Sequence, residues 1–508
     1  MATQIRNGDI AMMGEQTGLQ PKIFYPHMNL EQRVPRTHLL RRIQEQIDFN
    51  FIYAEVRDAY GSNGNVSIPP PVILKMMLLL VLYNVRSERE LMETIPMRLD
   101  WLWFLGYDID SEAPDHSVLS KARARWRVEA FQRFFERIVW QCVEAGLVDG
   151  SKIFMDSSLV DANASNNSVI DTRSLKVQLQ ESYKKLEARL EEKGENTDTS
   201  RRYVKENSRY ISTTDPDAAI VNRGKAKLTY QVHRAVDERS EVITATETTS
   251  GDVNEAHEMI PLLESHHLNT GVRADTIVAD SKYGTIENFL ACDDRGVKAH
   301  MPDLREMSLK RTEKQNIFGE ERFEYDRESD TYGCPAGNRL KPRSLHKSRQ
   351  SRDYAAPKKI CAVCHLREQC TKNKSGRTIK RHLRQEDLDR MREASRSAKA
   401  KRDIKRRQHL MERSYARGTR YGFDRARWRG LWRVQIQEYL ISAVQNIQVL
   451  LRYGSYLKGS PSAMMEQIKG AIAGDTRSFL DFKELMNSKM GQMVLFGFTS
   501  PRLSFIEG

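Results

Sequence analysis

Two short apolar runs, each closed by an aspartate, constrain this chain's fold more than any other feature. Ile153-Phe154-Met155 ends at Asp156, and Ile277-Val278-Ala279 ends at Asp280. Runs apolar at every position suit strands buried on both faces, as in the centre of an α/β sheet. The local pattern aims both carboxylates at a shared point. A third acid, Glu412, lies in the helical stretch Arg406-Arg407-Gln408-His409-Leu410-Met411-Glu412-Arg413. Two strand-end carboxylates and one on a packed helix can hold a pair of Mg²⁺ ions. Hard divalent cations take oxygen ligands, and two of them stabilise the attacking and leaving oxygens of an in-line phosphoryl displacement. Aspartate also ends strands in many α/β proteins, so spacing alone does not decide between the readings.

The length of 508 residues allows two to four domains. With 39% hydrophobic and 29% charged residues, the chain reads as soluble, strongly charged and largely globular. Met1 to Leu19 is polar and lacks the apolar core of a signal peptide. The longest apolar run, Val72 to Tyr83, is broken by Lys75 and is too short to span a bilayer, so it predicts a buried helix and no membrane partner. Six cysteines in a chain this long do not make a disulfide scaffold, and a cytoplasmic location follows. The net charge is +13, and residues 371–430 hold 21 Lys or Arg against 7 Asp or Glu. Positive charge gathered around Glu412, interleaved with Tyr415, Tyr421, Phe423, Trp428 and Trp432, fits phosphate-backbone binding better than a solvated helix face.

Residues 1–150 read as helical. A helix follows Pro69-Pro70-Pro71, Ser87-Glu88-Arg89-Glu90 is a capping box, and Asp115-His116-Ser117 starts a long helix to about Ala145. Lys121, Arg123, Arg125 and Arg127 on that helix suit a module laid across a DNA groove; a helical bundle with a basic surface is the competing reading. From residue 151 to 302 the rhythm becomes strand, hairpin and alternating helices, which predicts a mixed sheet with helices on its faces. Within it, residues 166–212 carry Leu175, Leu179, Tyr183, Leu186 and Leu190 at helical spacing, an inserted amphipathic helix. An insertion at 303–385 holds Cys334, Cys361, Cys364 and Cys370. Four thiolates can make a closed zinc site, His365 or His382 can replace one ligand, and reduced structural thiols remain the alternative. Residues 386–455 carry Glu412, and the tail 456–508 shows no chemistry.

The motifs around these acids resemble the DDE transposases of bacterial insertion sequences, in the family's order and over most of the chain. They are Asp156-Ser157-Ser158, Ala162-Asn163-Ala164-Ser165, Thr213-Thr214-Asp215-Pro216-Asp217-Ala218, Leu228-Thr229-Tyr230-Gln231-Val232-His233, Val278-Ala279-Asp280-Ser281-Lys282-Tyr283-Gly284, Glu412-Arg413-Ser414-Tyr415, Arg425-Ala426-Arg427-Trp428-Arg429-Gly430 and Gln445-Asn446-Ile447. The resemblance implies a ribonuclease-H-like catalytic domain, an all-α N-terminal domain that binds the element's terminal repeats, and a Cys-containing insertion. It further implies Asp156, Asp280 and Glu412 as ligands of two Mg²⁺ ions, for which Mn²⁺ can substitute. The partners it implies are double-stranded terminal repeats and target DNA, bound by a homodimer or larger synaptic assembly near the nucleoid. One departure stands out: Thr419 occupies the place where the family has a Lys, seven residues after the Glu. Arg417 or Arg420 can take that phosphate-holding part, with Arg413 beside the bound strand. The alternative is a domesticated or decayed transposase that binds DNA without cutting it.

Overall fold

The computed structural model describes residues 13–14, 29–61, 66–171, 210–303 and 316–457. The amphipathic helix expected around Leu175–Leu190 lies outside the described residues, as does the tail from residue 458. Among the described residues, seven α-helices precede the first strand: α1 (Leu30–Arg33), α2 (Leu39–Gln46), α3 (Ile52–Val56), α4 (Pro70–Leu82), α5 (Glu88–Thr94), α6 (Leu99–Leu105) and α7 (Ser117–Glu144). Prolines open α4, where a missing N–H costs nothing. The Ser87 hydroxyl accepts from Glu90 N at 3.1 Å, while the Glu90 carboxylate reaches back to Arg86 N at 3.2 Å, one residue beyond the N-cap that a standard capping box uses. The long helix predicted to Ala145 is present but broken at Arg127, whose φ of 56° and ψ of −162° leave the helical region.

All thirteen residues of α4 are buried, Lys75 included at 4% exposure. Its Nζ lies 5.4 Å from the Phe49 ring and 5.2 Å from the Phe104 ring. Burial pulls the ammonium from 10.5 down to about 8. Below pH 8 both folded and unfolded chains carry the charge, and the fold bears its desolvation. As pH rises from about 8 to 10.5, the folded state has lost a proton that the unfolded state keeps, so stability climbs. Lys75→Met should therefore stabilise the protein at pH 7 by roughly 2 kcal/mol, somewhat less than the shift alone implies because the two rings attract the cation. That gain should vanish above pH 10.5. Denaturant melts at both pH values check it, and an equal gain at each would assign the effect to packing.

The central sheet holds β1 (Lys152–Asp161), β4 (Ala219–Arg223), β5 (Lys225–Asp237), β6 (Ile243–Ser250), β7 (Thr276–Val278) and β8 (Lys298–His300), with β2 (Val169–Asp171) and β3 (Tyr210–Ser212) forming a separate ribbon. The order is β4-β5-β1-β7-β8, and β6 also pairs with β5. β1 runs antiparallel to β5 but parallel to β7, and β7 parallel to β8. α8 (Met259–Thr270) and α9 (Ile286–Asp294) cover one face through Leu262, Leu263, Phe289 and Leu290. The sheet is thus mixed, as the strand and helix rhythm predicts.

An insert follows. β9 (Glu324–Asp326), β10 (Thr331–Gly333), β11 (Arg339–His346), β12 (Ser351–Ala355) and β13 (Thr378–His382) make a five-stranded antiparallel sheet in the order β13-β12-β11-β10-β9. Two short helices, α10 (Lys358–Ala362) and α11 (Arg367–Cys370), lie between β12 and β13. The chain then returns to the central sheet with α12 (Gln385–Ser395), α13 (Ala398–Thr419) and α14 (Leu431–Leu457). α14 packs against α4, α7 and β6, so one continuous core joins the N-terminal helices to the sheet face bearing Phe154 and Val278.

Candidate active site

Phe154 of β1 and Val278 of β7 are register partners in neighbouring parallel strands, and both face the core shared with α14. Two residues further on, the pleat returns to the same side, which brings Asp156 and Asp280 next to each other. Asp280 follows β7 and caps the turn Ser281–Tyr283, its Oδ1 accepting from Lys282 N at 2.9 Å. Asp156 Oδ1 accepts from Ser157 N at 2.9 Å. The third carboxylate is Glu255, on the single turn Glu255–Glu258 that Asn254 caps just beyond β6. One oxygen from each of Asp156, Glu255 and Asp280 lies within 4.8 Å of the other two, the only such group of metal-ligand side chains among the described residues.

Burial pushes the Asp156 carboxyl up to about 6, with Asp280 and Glu255 adding to the effect and the Arg407 guanidinium opposing it. Burial, then Glu255, raises Asp280. Glu255 is also buried, but the Lys282 ammonium and the Ser157 hydroxyl outweigh that and hold it below its ordinary value. Lys282 pairs with Glu255, and Arg407 of α13 reaches Asp156 Oδ2 at 2.6 Å. The Tyr283 hydroxyl is fully buried beside the three acids and has no hydrogen-bond partner. Three clustered oxygens with an unused buried hydroxyl suit a hard, hydrated divalent cation.

Asp156 and Asp280 thus meet as expected, whereas Glu412 does not join them. α13 turns Arg407, Met411 and Tyr415 inward, and the Tyr415 hydroxyl donates to the Asp156 carbonyl at 2.9 Å. Glu412 sits about a hundred degrees round from Met411. It is exposed there and accepts from Gln408 Nε2 at 3.1 Å. The expected stand-ins for the missing Lys are corrected in the same way. Arg413 and Arg417 both pair with Glu241 in the β5–β6 turn, Arg417 at 2.8 Å, and Arg420 lies at the exposed end of the helix. The cations at the cluster are Arg407 and Lys282. Thr419 has a local job, donating to Asp424 at 3.0 Å.

Arg123 is a further correction. It is buried, pairs with Glu88 and lies 4.0 Å from the Trp428 ring centroid, so it joins the N-terminal helices to the segment before α14. Lys121, Arg125 and Arg127 are exposed. Glu255, Lys282, Arg407 and Tyr283 were not expected at the site from sequence. Lys282 and Tyr283 stand in the motif beside Asp280. Glu255 gives only the weak signal of an acid just past a strand.

Several of the family-like motifs prove to be joints. Asp215 Oδ1 accepts from Gly430 N at 3.0 Å and Tyr230 OH at 2.6 Å, and Asp217 accepts from Leu431 N at 2.9 Å, so the two acids cap α14. Asn446 holds both the N–H and the carbonyl of Ile243, at 2.9 and 2.8 Å. In the insert, Cys334, Cys361, Cys364 and Cys370 line one cavity. His365 is exposed and His382 accepts from Arg384 N at 3.1 Å, and neither is a wall of that cavity.

No helix among the described residues is long and apolar enough to cross a membrane. Residues 28–125 match a family model described as a transposase domain, and residues 333–451 match one described as a transposase DDE domain. The second stretch contains Arg407 and Glu412, while Asp156, Glu255 and Asp280 lie between the two. No curated protein matches the chain.

Proposed function

We propose, for a chain that belongs to the DDE transposases of insertion sequences, that it cleaves DNA at the element's ends and joins the freed 3′-OH to target DNA. The observation that carries this reading is the convergence of Asp156, in β1 two residues past its last pair with β7, with Asp280 just after β7 and Glu255 just beyond β6. Asp280, just past the carboxyl end of a parallel strand, stands where α/β sheets commonly place ligands. Mg²⁺ held by these carboxylates, or Mn²⁺ in its place, would polarise the scissile phosphate and activate the attacking oxygen. The backbone N–H groups of Ser157 and Lys282 fix one oxygen of each aspartate. Lys282 and Arg407 supply positive charge where a phosphodiester would lie. Glu412, on the solvent side of the same helix, would join the set through a movement of α13 when DNA arrives.

The fold at the centre of this reading is a ribonuclease-H-like sheet. Two basic regions then take the DNA. One is the exposed edge of α7 with Lys121, Arg125 and Arg127. The other is the insert, where residues 334–382 carry 14 Lys or Arg against two Asp or Glu. A homodimer, one chain for each element end, completes the proposed assembly. A descendant that merely bound DNA would have no use for three carboxyls at ligand spacing, one buried and two half-buried.

The deciding experiment incubates the protein and Mg²⁺ with linear DNA carrying the gene's own flanking sequence. Nicks at the element boundary are expected, and their absence over a range of metal and salt would overturn the enzyme reading. Replacing Lys121 and Arg127 together should flatten the log–log salt dependence of DNA binding by roughly one unit for each phosphate no longer neutralised. An unchanged slope would remove α7 from the interface.

A further inference from the structure

The cavity in the insert is not used by the phosphoryl-transfer chemistry. Its four cysteines come from three pieces of chain: the turn after β10, α10 with the turn beyond it, and the end of α11. They are four of the chain's six, gathered at one place. We propose that Cys334, Cys361, Cys364 and Cys370 form a tetrahedral Zn²⁺ site that staples the basic insert together. Four protein ligands leave no open position, so the site is structural.

The surroundings fit thiolates. Zn²⁺ with four thiolates carries two negative charges, and two arginines line the cavity. Arg367 donates to the Cys361 carbonyl at 3.4 Å and Arg377 to the Cys370 carbonyl at 3.4 Å. The Arg377 Nε is buried with no hydrogen-bond partner. Asn338 N donates to Cys334 Sγ at 3.3 Å, a bond that strengthens when the sulfur is ionised. Gly376 has a φ of +94°, and a Cβ there would stand 2.9 Å from Cys361 Sγ, so only glycine lets the chain wrap this sulfur so closely.

No three of the four sulfurs lie within 4.8 Å of one another. They stand around the cavity wall, and binding draws the four sulfurs together across it. The insert has reason to need the ion. Among the described residues its buried apolar core is Phe323, Tyr332, Leu340, Tyr354, Ala356 and Ile379, six side chains for five strands that also carry concentrated positive charge. Units with so small a core commonly rely on metals or disulfides.

The test measures zinc in the full chain, purified with reductant, by elemental mass spectrometry. About one Zn²⁺ per chain is expected, retained when Mg²⁺ is exchanged away. Co²⁺ in its place should give the intense visible bands and thiolate charge-transfer absorption of a tetrahedral sulfur site. Cys361→Ser with Cys364→Ser should lower zinc at least tenfold, Cys334→Ser should weaken its retention, and Cys292→Ser should leave it unchanged. Should the double variant fail to fold, the unaltered chain still decides. Zinc should protect four thiols from alkylation, and peptide mapping should find them at Cys334, Cys361, Cys364 and Cys370 once a strong chelator is added. A zinc-free wild-type chain, cobalt bands without thiolate character, or chelator-independent alkylation would each overturn the proposal.

Discussion

Asp280→Asn is expected to abolish Mg²⁺-dependent cleavage, by about 10³-fold or more, while leaving fold and DNA binding intact. A thousandfold loss corresponds to roughly 4 kcal/mol of transition-state stabilisation. The size follows from the position. Asp280 shares its cluster with Asp156 and Glu255, so its substitution removes one of the three carboxylates gathered there. Its Oδ1 also accepts the Lys282 N–H, a bond that the amide oxygen of Asn can keep, so the turn Ser281–Tyr283 should survive. Asp161→Asn is the control, because that acid pairs with Lys227 at 2.6 Å at the far end of β1. A companion measurement separates the two glutamates. Glu255→Gln should weaken Mn²⁺ binding to the DNA-free protein about tenfold or more, whereas Glu412→Gln should leave it within twofold, since Glu412 is exposed and bonded to Gln408. Full cleavage by the Asn variant would overturn the enzyme reading. Equal metal affinity in the two Gln variants would remove only Glu255 from the ligand set.

The largest stability effect should come from Glu438→Ala, at about 3–5 kcal/mol. Arg234 and Glu438 form a two-pronged ion pair, Nε to Oε1 at 2.7 Å and Nη2 to Oε2 at 3.1 Å, with side chains 0% and 2% exposed. Glu438 also accepts from Thr246 at 3.0 Å and Ser442 at 2.7 Å, while Arg234 donates to the Ser414 carbonyl at 3.2 Å. The guanidinium carbon lies 4.8 Å from the Tyr415 and Phe423 ring centroids. Truncation at 438 leaves the arginine buried without its counter-charge, which costs far more than the pair itself contributes. Ser442→Ala removes one hydrogen bond and should cost about 1 kcal/mol. Arg234 faces Asp156 across the β1–β5 register. The same pair therefore positions α13 over the carboxylates, and Glu438→Ala should weaken cleavage even below its melting temperature. Denaturant unfolding of the two variants checks the ranking, and equal small losses would mean that water reaches Arg234.

What the sequence determined by itself was local and periodic. Unbroken apolar runs marked β1 and β7, turn residues marked the β5–β6 hairpin, and Ser87 with Glu90 marked the start of α5, because each rests on neighbours a few residues apart. The same locality brought Asp156 and Asp280 into view, since both close apolar runs that only a buried sheet can accept. Tertiary structure decided everything that depends on rotation about a helix or on long-range register. Glu412 and Arg407 are five residues apart on α13, and the packing of Met411 and Tyr415 against the sheet chose the arginine for the cluster. Glu255 entered because β5 carries β1 on one edge and β6 on the other, a pairing across about a hundred residues that no local pattern encodes. Arg123 reads as a surface cation by composition, yet Glu88 and Trp428 bury it, the latter three hundred residues away. Charge and spacing fix which residues can serve; which of them face the site is set by the cores that clamp α13 and α14 to the sheet.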